Sequence, residues 1–470
     1  VEAVGATVVA IGMDEMGRSA LPAACYLDIQ DGALHPANPD VHPGLQPPTS
    51  RRQQATQAHL PKPDLMEPQR CELIPAGNCL VGVPIDPIGV HDLAQVVVLD
   101  TEANAVFPCT AINLPPTRAR WQFESVGQVL VGLPHGVDHG CSIAHACVID
   151  PYAYRPDPDR AGGIVGGSVK VGVTGSLPPY AMYAFSAVKD MVVCVNMDAH
   201  ISQAVCLTVN PKANKPLACA PVSAIGDMPP PGPCVLMQQA ESGTILAFFH
   251  DDLLAIDLSQ TCVFVDKSTP AAGVSKARQR EMTVSLAGVT FADEPVTPQP
   301  MQGFTVNGGV FLIGQDATGK TDFSKTWKLS VPDMVVSTVH LVDPPPPLFC
   351  TVTSSSDRVE TPSDLLWITP PEFQGPISSP IDFSGGLLWG AIDVAAKRVS
   401  LRAGSSLLKP SVPYEFKAVM PAHAVVAPVI GTKAPADTIG GLSIVSLPAE
   451  LEPTDEADDD TDKPQADDDN

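Results

Sequence analysis

A short apolar run ending near a glycine, then a polar turn-rich loop, then a second apolar run closed by Asp, Ser or Thr, recurs along this chain. No other feature limits its fold as much. Val8-Val9-Ala10-Ile11-Gly12 is followed by Cys25-Tyr26-Leu27-Asp28, Cys79-Leu80-Val81-Gly82 by Val97-Val98-Leu99-Asp100, and Val129-Leu130-Val131-Gly132 by Cys147-Val148-Ile149-Asp150. The glycine-to-aspartate distance is 16 residues in the first pair and 18 in the next two. Apolar runs this short, bounded by turn residues, suit strands that are covered on both faces.

Looser copies continue the pattern. Val192-Val193-Cys194-Val195 leads to Val205-Cys206-Leu207-Thr208, and Ile245-Leu246-Ala247-Phe248 leads through a tight Asp251-Asp252 to Leu254-Ala255-Ile256-Asp257. Val310-Phe311-Leu312-Ile313-Gly314 leads to Trp327-Lys328-Leu329-Ser330, and the stretch from Val425 to Gly431 leads to Leu442-Ser443-Ile444-Val445-Ser446. Less regular pairs are Leu348 to Val352 with Leu365 to Ile368, and Gly385 to Asp393 with Arg398 to Arg402. Counting gives seven to nine units. Fifty prolines and 36 glycines are spread between the runs. Proline removes a backbone donor and clashes inside a helix, so this distribution marks turns and argues against a helix-rich chain.

An all-β fold follows. A repeat of several short strands predicts a β-propeller of about seven to eight blades, because one blade cannot cover its own faces and must pack on its neighbours. A β-sandwich or jelly-roll shell protein is the alternative. Residues 1–447 are expected to form one repeat-built domain, with the segments 36–70, 151–180, 209–233 and 264–300 as surface loops. Residues 448–470 carry 11 acidic residues against one Lys and are expected to be a disordered acidic tail.

The pattern resembles the kelch-type β-propeller family, in which an apolar strand ends in Gly and an aromatic-containing strand follows. Val310 to Gly314 with Trp327-Lys328-Leu329 matches best. The family's double glycine after the strand is missing from most units, and Gly308-Gly309 and Gly385-Gly386 precede their strands instead. The resemblance implies a toroid that binds other macromolecules through its loops.

A net charge of −24 argues against a nucleic-acid backbone as main partner and against anionic membrane surfaces, both of which need Lys and Arg. No apolar run reaches the length of roughly 18 residues that suggests a membrane-crossing helix. The 12 cysteines are widely spaced and several sit inside apolar runs, which predicts reduced thiols and an intracellular, cytoplasmic or virion setting.

Two motifs carry possible chemistry. Gly314-Gln315-Asp316-Ala317-Thr318-Gly319-Lys320-Thr321 fits the G-x-x-x-x-G-K-[ST] phosphate loop, with Gly314 and Gly319 shaping the loop, Lys320 reaching terminal phosphates and Thr321 holding Mg²⁺. That reading requires a helix after the loop. The residues from Asp322 onward look like a strand, so a hairpin loop with Asp316 and Gly319 as turn residues is preferred. His135, His139, Cys141 and His145 are imidazole and thiol groups at short spacing that could ligate zinc, against a solvated inter-strand loop. Asp28, Asp100, Asp150 and Asp257 recur at strand ends, where Asp commonly caps a turn.

No catalytic set stands out and no cofactor is expected. The expected function is therefore a non-enzymatic structural or interaction protein, contacting protein partners or copies of itself in an assembly, with a viral coat or capsid-surface protein as one version. The alternative is an enzyme, either a nucleotide hydrolase using Gly314 to Thr321 or a propeller hydrolase.

Overall fold

In the computed structural model, the residues described are 2–4, 7–11, 18, 24–27, 34–36, 70–101, 105–112, 114, 119–136, 138–154, 167–198, 204–226, 231–239, 243–250, 254–267, 282–354, 364–369, 388–403, 414–420, 423–428 and 443–446. Among them there is no α-helix; the regular elements are strands and a few 3₁₀ turns. The strands form eight sheets, mostly antiparallel meanders in which sequence neighbours pair.

Blade 1 comprises Glu2–Val4, Thr7–Ala10, Cys25–Leu27 and Leu34–Pro36. Blade 2 comprises Cys71–Ala76, Cys79–Pro84, Val97–Asp100 and Ala105–Pro108. Blade 3 comprises Arg120–Val126, Val129–His135, Cys147–Asp150 and Ser168–Val171. Blade 4 comprises Tyr183–Val188, Met191–Asn196, Ala204–Val209 and Leu217–Pro221. Blade 5 comprises Cys234–Gln239, Thr244–Phe249, Cys262–Asp266 and Met282–Leu286. Blade 6 comprises Gln299–Val306, Gly309–Gln315, Thr321–Ser330 and Val335–Thr338. Blade 7 comprises Thr351–Ser354, Leu365–Thr369, Leu388–Asp393 and Arg398–Ala403. Blade 8 comprises Tyr414–Met420, His423–Pro428 and Ser443–Ser446.

First strands of successive blades touch from blade 1 through blade 7, and the first strand of blade 8 touches that of blade 1. The first strands therefore surround an axis, and the sheets radiate from it as propeller blades. The core lies between the blades. Six apolar clusters fill the interfaces 1/2, 2/3, 3/4, 4/5, 5/6 and 6/7.

This placement explains the apolar runs. Side chains alternate across a strand. In the second strand of blade 3, Val129, Val131 and Leu133 enter the 3/4 cluster and Leu130 enters the 2/3 cluster. In blade 4, Val192 and Cys194 face blade 3 while Val193 and Val195 face blade 5. Covered on both faces, the middle of the second strand is apolar, and buried polar residues such as Thr244 and Asn196 sit at its ends. The glycine within it also has a cause. Gly132 pairs with Phe123, and a Cβ there would lie 2.7 Å from Cys147 Sγ and 2.8 Å from Phe123 Cε1.

The repeat seen in the sequence is thus the second and third strands of a blade, with two corrections. Leu348 to Ile368 and Gly385 to Arg402 are the two halves of blade 7, not separate units. Ala255–Ile256 is not the third strand of blade 5; it pairs with Gln299 and Pro300 of blade 6, and Cys262–Asp266 takes the third position. Three segments expected to be loops hold fourth strands: Ser168–Val171, Leu217–Pro221 and Met282–Leu286. Residues 448–470, expected to be an acidic tail, lie outside the described residues.

The chain leaving each of blades 2 to 5 also seats on the outer edge of the next blade. Thr110–Ile112, Val173–Gly175, Ser223–Ile225 and Thr290–Phe291 pair in parallel with the fourth strands of blades 3, 4, 5 and 6. These segments occupy edge hydrogen-bonding groups that would otherwise be open to another chain.

Candidate functional site

Both chemical motifs of the sequence lie in one recurring device, the connection from second to third strand. In blade 2, Asp86 N–H donates to the Val90 carbonyl at 2.9 Å, Gly89 N–H to the Asp86 carbonyl at 3.0 Å, and His91 N–H to Ala119, just before blade 3, at 3.0 Å. Blade 6 repeats this. Asp316 N–H donates to Lys320 at 2.9 Å, Gly319 N–H to Asp316 at 3.0 Å, and Thr321 N–H to Leu348, just before blade 7, at 3.0 Å. Gly89 and Gly319 sit at φ +85° and +80°, where a residue without Cβ is at ease.

Blade 3 uses the same stitch, with His139 at φ +62° in the left-handed position and Cys141 N–H donating to Ala181 at 2.7 Å. In blade 5, Leu254 at φ +60° precedes the pairing of Ala255 and Ile256 with blade 6. Each tip clamps its blade to the start of the next.

The phosphate-loop residues are therefore a stitched hairpin. Thr321–Ser330 is a strand where a phosphate loop needs a helix. The loop's anion position is filled from within: Asp316 Oδ1 accepts from Thr318 N–H at 2.8 Å, Thr318 Oγ1 at 2.7 Å and Lys320 N–H at 2.9 Å. The Thr318 hydroxyl, followed by the Lys320 N–H, holds the Asp316 carboxyl below its ordinary value. Lys320 Nζ lies 5.4 Å from the Phe349 ring centroid, and Thr321 is buried. Gly314 belongs to the second strand, against Lys325 Cβ.

The four zinc candidates do not converge. His135 Nδ1 is 3.3 Å from the His139 carbonyl and its ring stacks on Phe185. Burial lowers the His135 pKa. Cys141 is buried, and burial pushes its thiol up to about 12, far from the thiolate a metal needs. His139 is exposed, and His145 Nδ1 sits 3.0 Å from Ser142 Oγ. Among the described residues no three His, Cys, Asp or Glu side chains form a metal set.

The strand-end aspartates cap turns where they can be followed. Asp150 accepts from Tyr152 N–H at 3.0 Å, and Asp257 from Ser259 N–H at 3.0 Å and Ser259 Oγ at 2.6 Å. Asp100 is buried, and Asp28 lies outside the described residues.

A second repeat escapes the apolar pattern. After the stitch, Asp92-Leu93-Ala94-Gln95, Ser142-Ile143-Ala144-His145 and Asp257-Leu258-Ser259-Gln260 each make a 3₁₀ turn whose second residue is buried. Aligning the three four-residue strings would have placed His145 opposite Gln95 and Gln260, as a turn residue. Sequence reasoning also missed His91, which is buried. Its Nε2 lies 2.6 Å from Glu72 Oε2 and its Nδ1 accepts the Trp121 N–H at 3.0 Å. With both ring nitrogens bonded, His91 has none left to serve as a base.

In blade 4 the second-to-third connection lies largely outside the described residues. Between blades 4 and 5 lies a cavity of about 220 Å³. Leu177, Val195, Val205, Phe249 and Val284 line it with Pro178, Pro221 and Pro231, and none of the described residues that line it is charged. Its polar side chains are Ser176 and Asn196.

Asn196 is 3% exposed. Its Oδ1 accepts the Asp198 N–H at 2.8 Å, which fixes the orientation of the carboxamide, and its Nδ2 has no hydrogen-bond partner. Buried donors are almost always paired, so this one is an exception among the described residues. A more open cavity of about 330 Å³ lies between blades 5 and 6, and its polar residue Gln302 is only partly buried.

No protein-family model matches the sequence, and no curated protein matches it. Solved structures similar in fold include a post-proline cleaving enzyme from Rickettsia typhi, 8% identical, TM-score 0.41, with 90% of this chain covering 56% of that one. A prolyl endopeptidase is 9% identical at TM-score 0.39, over 91% of this chain and 54% of its own. A dihydro-heme d1 dehydrogenase is 11% identical at TM-score 0.40, over 91% of this chain and 71% of its own. The chain spans about half the length of the two peptidases. At these values the likeness transfers no activity. Against the expectation of a non-enzymatic scaffold or viral shell component, the similar structures that are described are mostly enzymes, an oligopeptidase B and a polysaccharide lyase among them.

Proposed function

We propose that this chain is an enzyme of the propeller-hydrolase kind, binding an acyl substrate in the cavity between blades 4 and 5. What supports the proposal is the largely apolar cavity of about 220 Å³ between blades 4 and 5, with Asn196 in its lining. An amide N–H aimed at a carbonyl oxygen stabilises the negative charge that develops when water adds to the carbon. Collapse of that adduct breaks the bond from acyl carbon to the leaving oxygen or nitrogen, giving an acid and an alcohol or amine.

The test is release of nitrophenolate from p-nitrophenyl benzoate by the purified full chain. Saturable turnover is expected, with kcat reduced on the order of 10²-fold or more in Asn196→Leu. Release no faster than in buffer, or equal turnover in the variant, would overturn the assignment.

A further inference from the structure

We infer that Asn307-Gly308 is a spontaneous modification site, where deamidation turns an amide that ties blade 6 to blade 7 into a carboxylate that repels blade 7. The two residues form the turn between the first and second strands of blade 6, with Val306 paired to Gly309. The chain has one Asn-Gly pair, and every other asparagine with a successor is followed by a residue that carries a side chain. The reaction needs only water. The Gly308 nitrogen bonds to the Asn307 side-chain carbonyl carbon, the carbon–nitrogen bond of the carboxamide breaks, and ammonia leaves with the displaced proton. Water then opens the resulting succinimide at either carbonyl, giving aspartate or isoaspartate with no change of oxidation state. A Cβ on the following residue would crowd the attacking nitrogen. Gly308 has none, sits at φ +68°, and has no heavy atom within 4 Å of the place a Cβ would take.

The turn itself does not account for the asparagine. The left-handed φ falls on Gly308 and not on Asn307, so the conformational demand is on the second residue. Asn307 instead reaches across the interface, where its Nδ2 donates to Asp364 Oδ2 at 3.0 Å. Asp364 stands just before the second strand of blade 7, Leu365–Thr369, and its carbonyl accepts the Val394 N–H at 2.9 Å. The bond therefore closes one end of the 6/7 interface, whose apolar cluster includes Val306, Leu366 and Val394. Deamidation removes the donor and leaves two carboxylates at hydrogen-bonding distance, where like charges disfavour each other's ionised form. Isoaspartate also adds a carbon to the main chain of a turn held by the Val306–Gly309 pair and by the Val331 N–H on the Gly308 carbonyl at 3.0 Å.

The folded full chain, kept in mildly alkaline heavy-oxygen water and then digested, reads out the reaction by mass spectrometry. Heavy oxygen is expected at residue 307, as aspartate and isoaspartate, with a urea midpoint that falls as the labelled fraction grows. Asn307→Gln should take up no label at that position, because its ring closure is much slower. Asn307→Asp should show the loss at once, with an unfolding constant at least about tenfold larger, the scale of one hydrogen bond to a charged group. Adding Asp364→Asn to that variant should restore stability, since donor and acceptor then exchange places. Three results would each overturn the inference: no label at 307 while the same chain unfolded in urea acquires it, an Asn307→Asp chain as stable as wild type, or a loss that Asp364→Asn does not relieve. The labelling arm uses the wild-type chain alone and stands whether or not the variants fold.

Discussion

Replacing Asn196 by Leu should make the protein more stable, an unusual expectation for a residue that is 3% exposed. The Nδ2 group is desolvated without a partner, a state that costs about 1–3 kcal/mol. Leucine has nearly the same size and removes that cost. It also removes the 2.8 Å bond from the Asp198 N–H, worth about 0.5–1.5 kcal/mol net. Asp198 is half-buried, so water can take over its N–H. The difference favours the variant by about 1 kcal/mol. With an unfolding entropy of about 2 cal/mol/K per residue, the melting temperature rises by only about 1 °C, so the urea midpoint is the better measurement.

Asn196→Asp supplies the opposite sign. It places a carboxylate where none of the described lining residues is a cation, and an unpaired buried charge costs about 3–5 kcal/mol. If Asn196→Leu instead destabilises by more than about 1 kcal/mol, Nδ2 is hydrogen-bonded in solution, and the argument for a ligand donor fails with it.

Three further outcomes are expected. Gly132→Ala drives a Cβ to 2.7 Å from Cys147 Sγ and should destabilise by about 1–3 kcal/mol in urea, and Phe123→Leu in the same chain should recover part of that loss. ATP with Mg²⁺ should leave the melting temperature of wild type and Lys320→Ala alike, because Asp316 occupies the loop's anion position; a rise confined to wild type would reopen the nucleotide reading. Stability should also fall in acid. The Asp316 carboxyl is held down by Thr318 and Lys320, whereas at Asp257 burial pushes upward and Ser259 and Gln260 more than offset it. Both folded-state pKa values thus lie below the ordinary 3.8, so their contribution is present above that value and lost as pH falls through the folded ones; a melting profile as steep below pH 3.8 in the Asp257→Asn, Asp316→Asn double variant as in wild type would contradict this.

What the sequence revealed and what it hid have one physical origin. The second strand is buried on both faces, so Val129 to Leu133 or Met191 to Val195 must be continuously apolar, and that is legible without coordinates. The fourth strands lie at the outer edge of their blades and are less completely covered. Leu217–Pro221 and Met282–Leu286 alternate buried with more exposed residues, which in a Pro-rich stretch looks like loop. The inter-blade stitches hide for a different reason. They are set by main-chain hydrogen bonds and a left-handed residue, and Gly89, His139, Leu254 and Gly319 all fill that role. Side-chain identity varies freely there, and the strings it produces imitate a phosphate loop in one blade and a metal site in another.

The cavity was illegible for a stronger reason still. Its residues come from blades 4 and 5 and span Ser176 to Val284, and none has chemistry remarkable in sequence. Asn196 is an ordinary strand-end residue in the sequence; only the fold places it in the lining of a cavity between two blades, with an amide donor that has no partner.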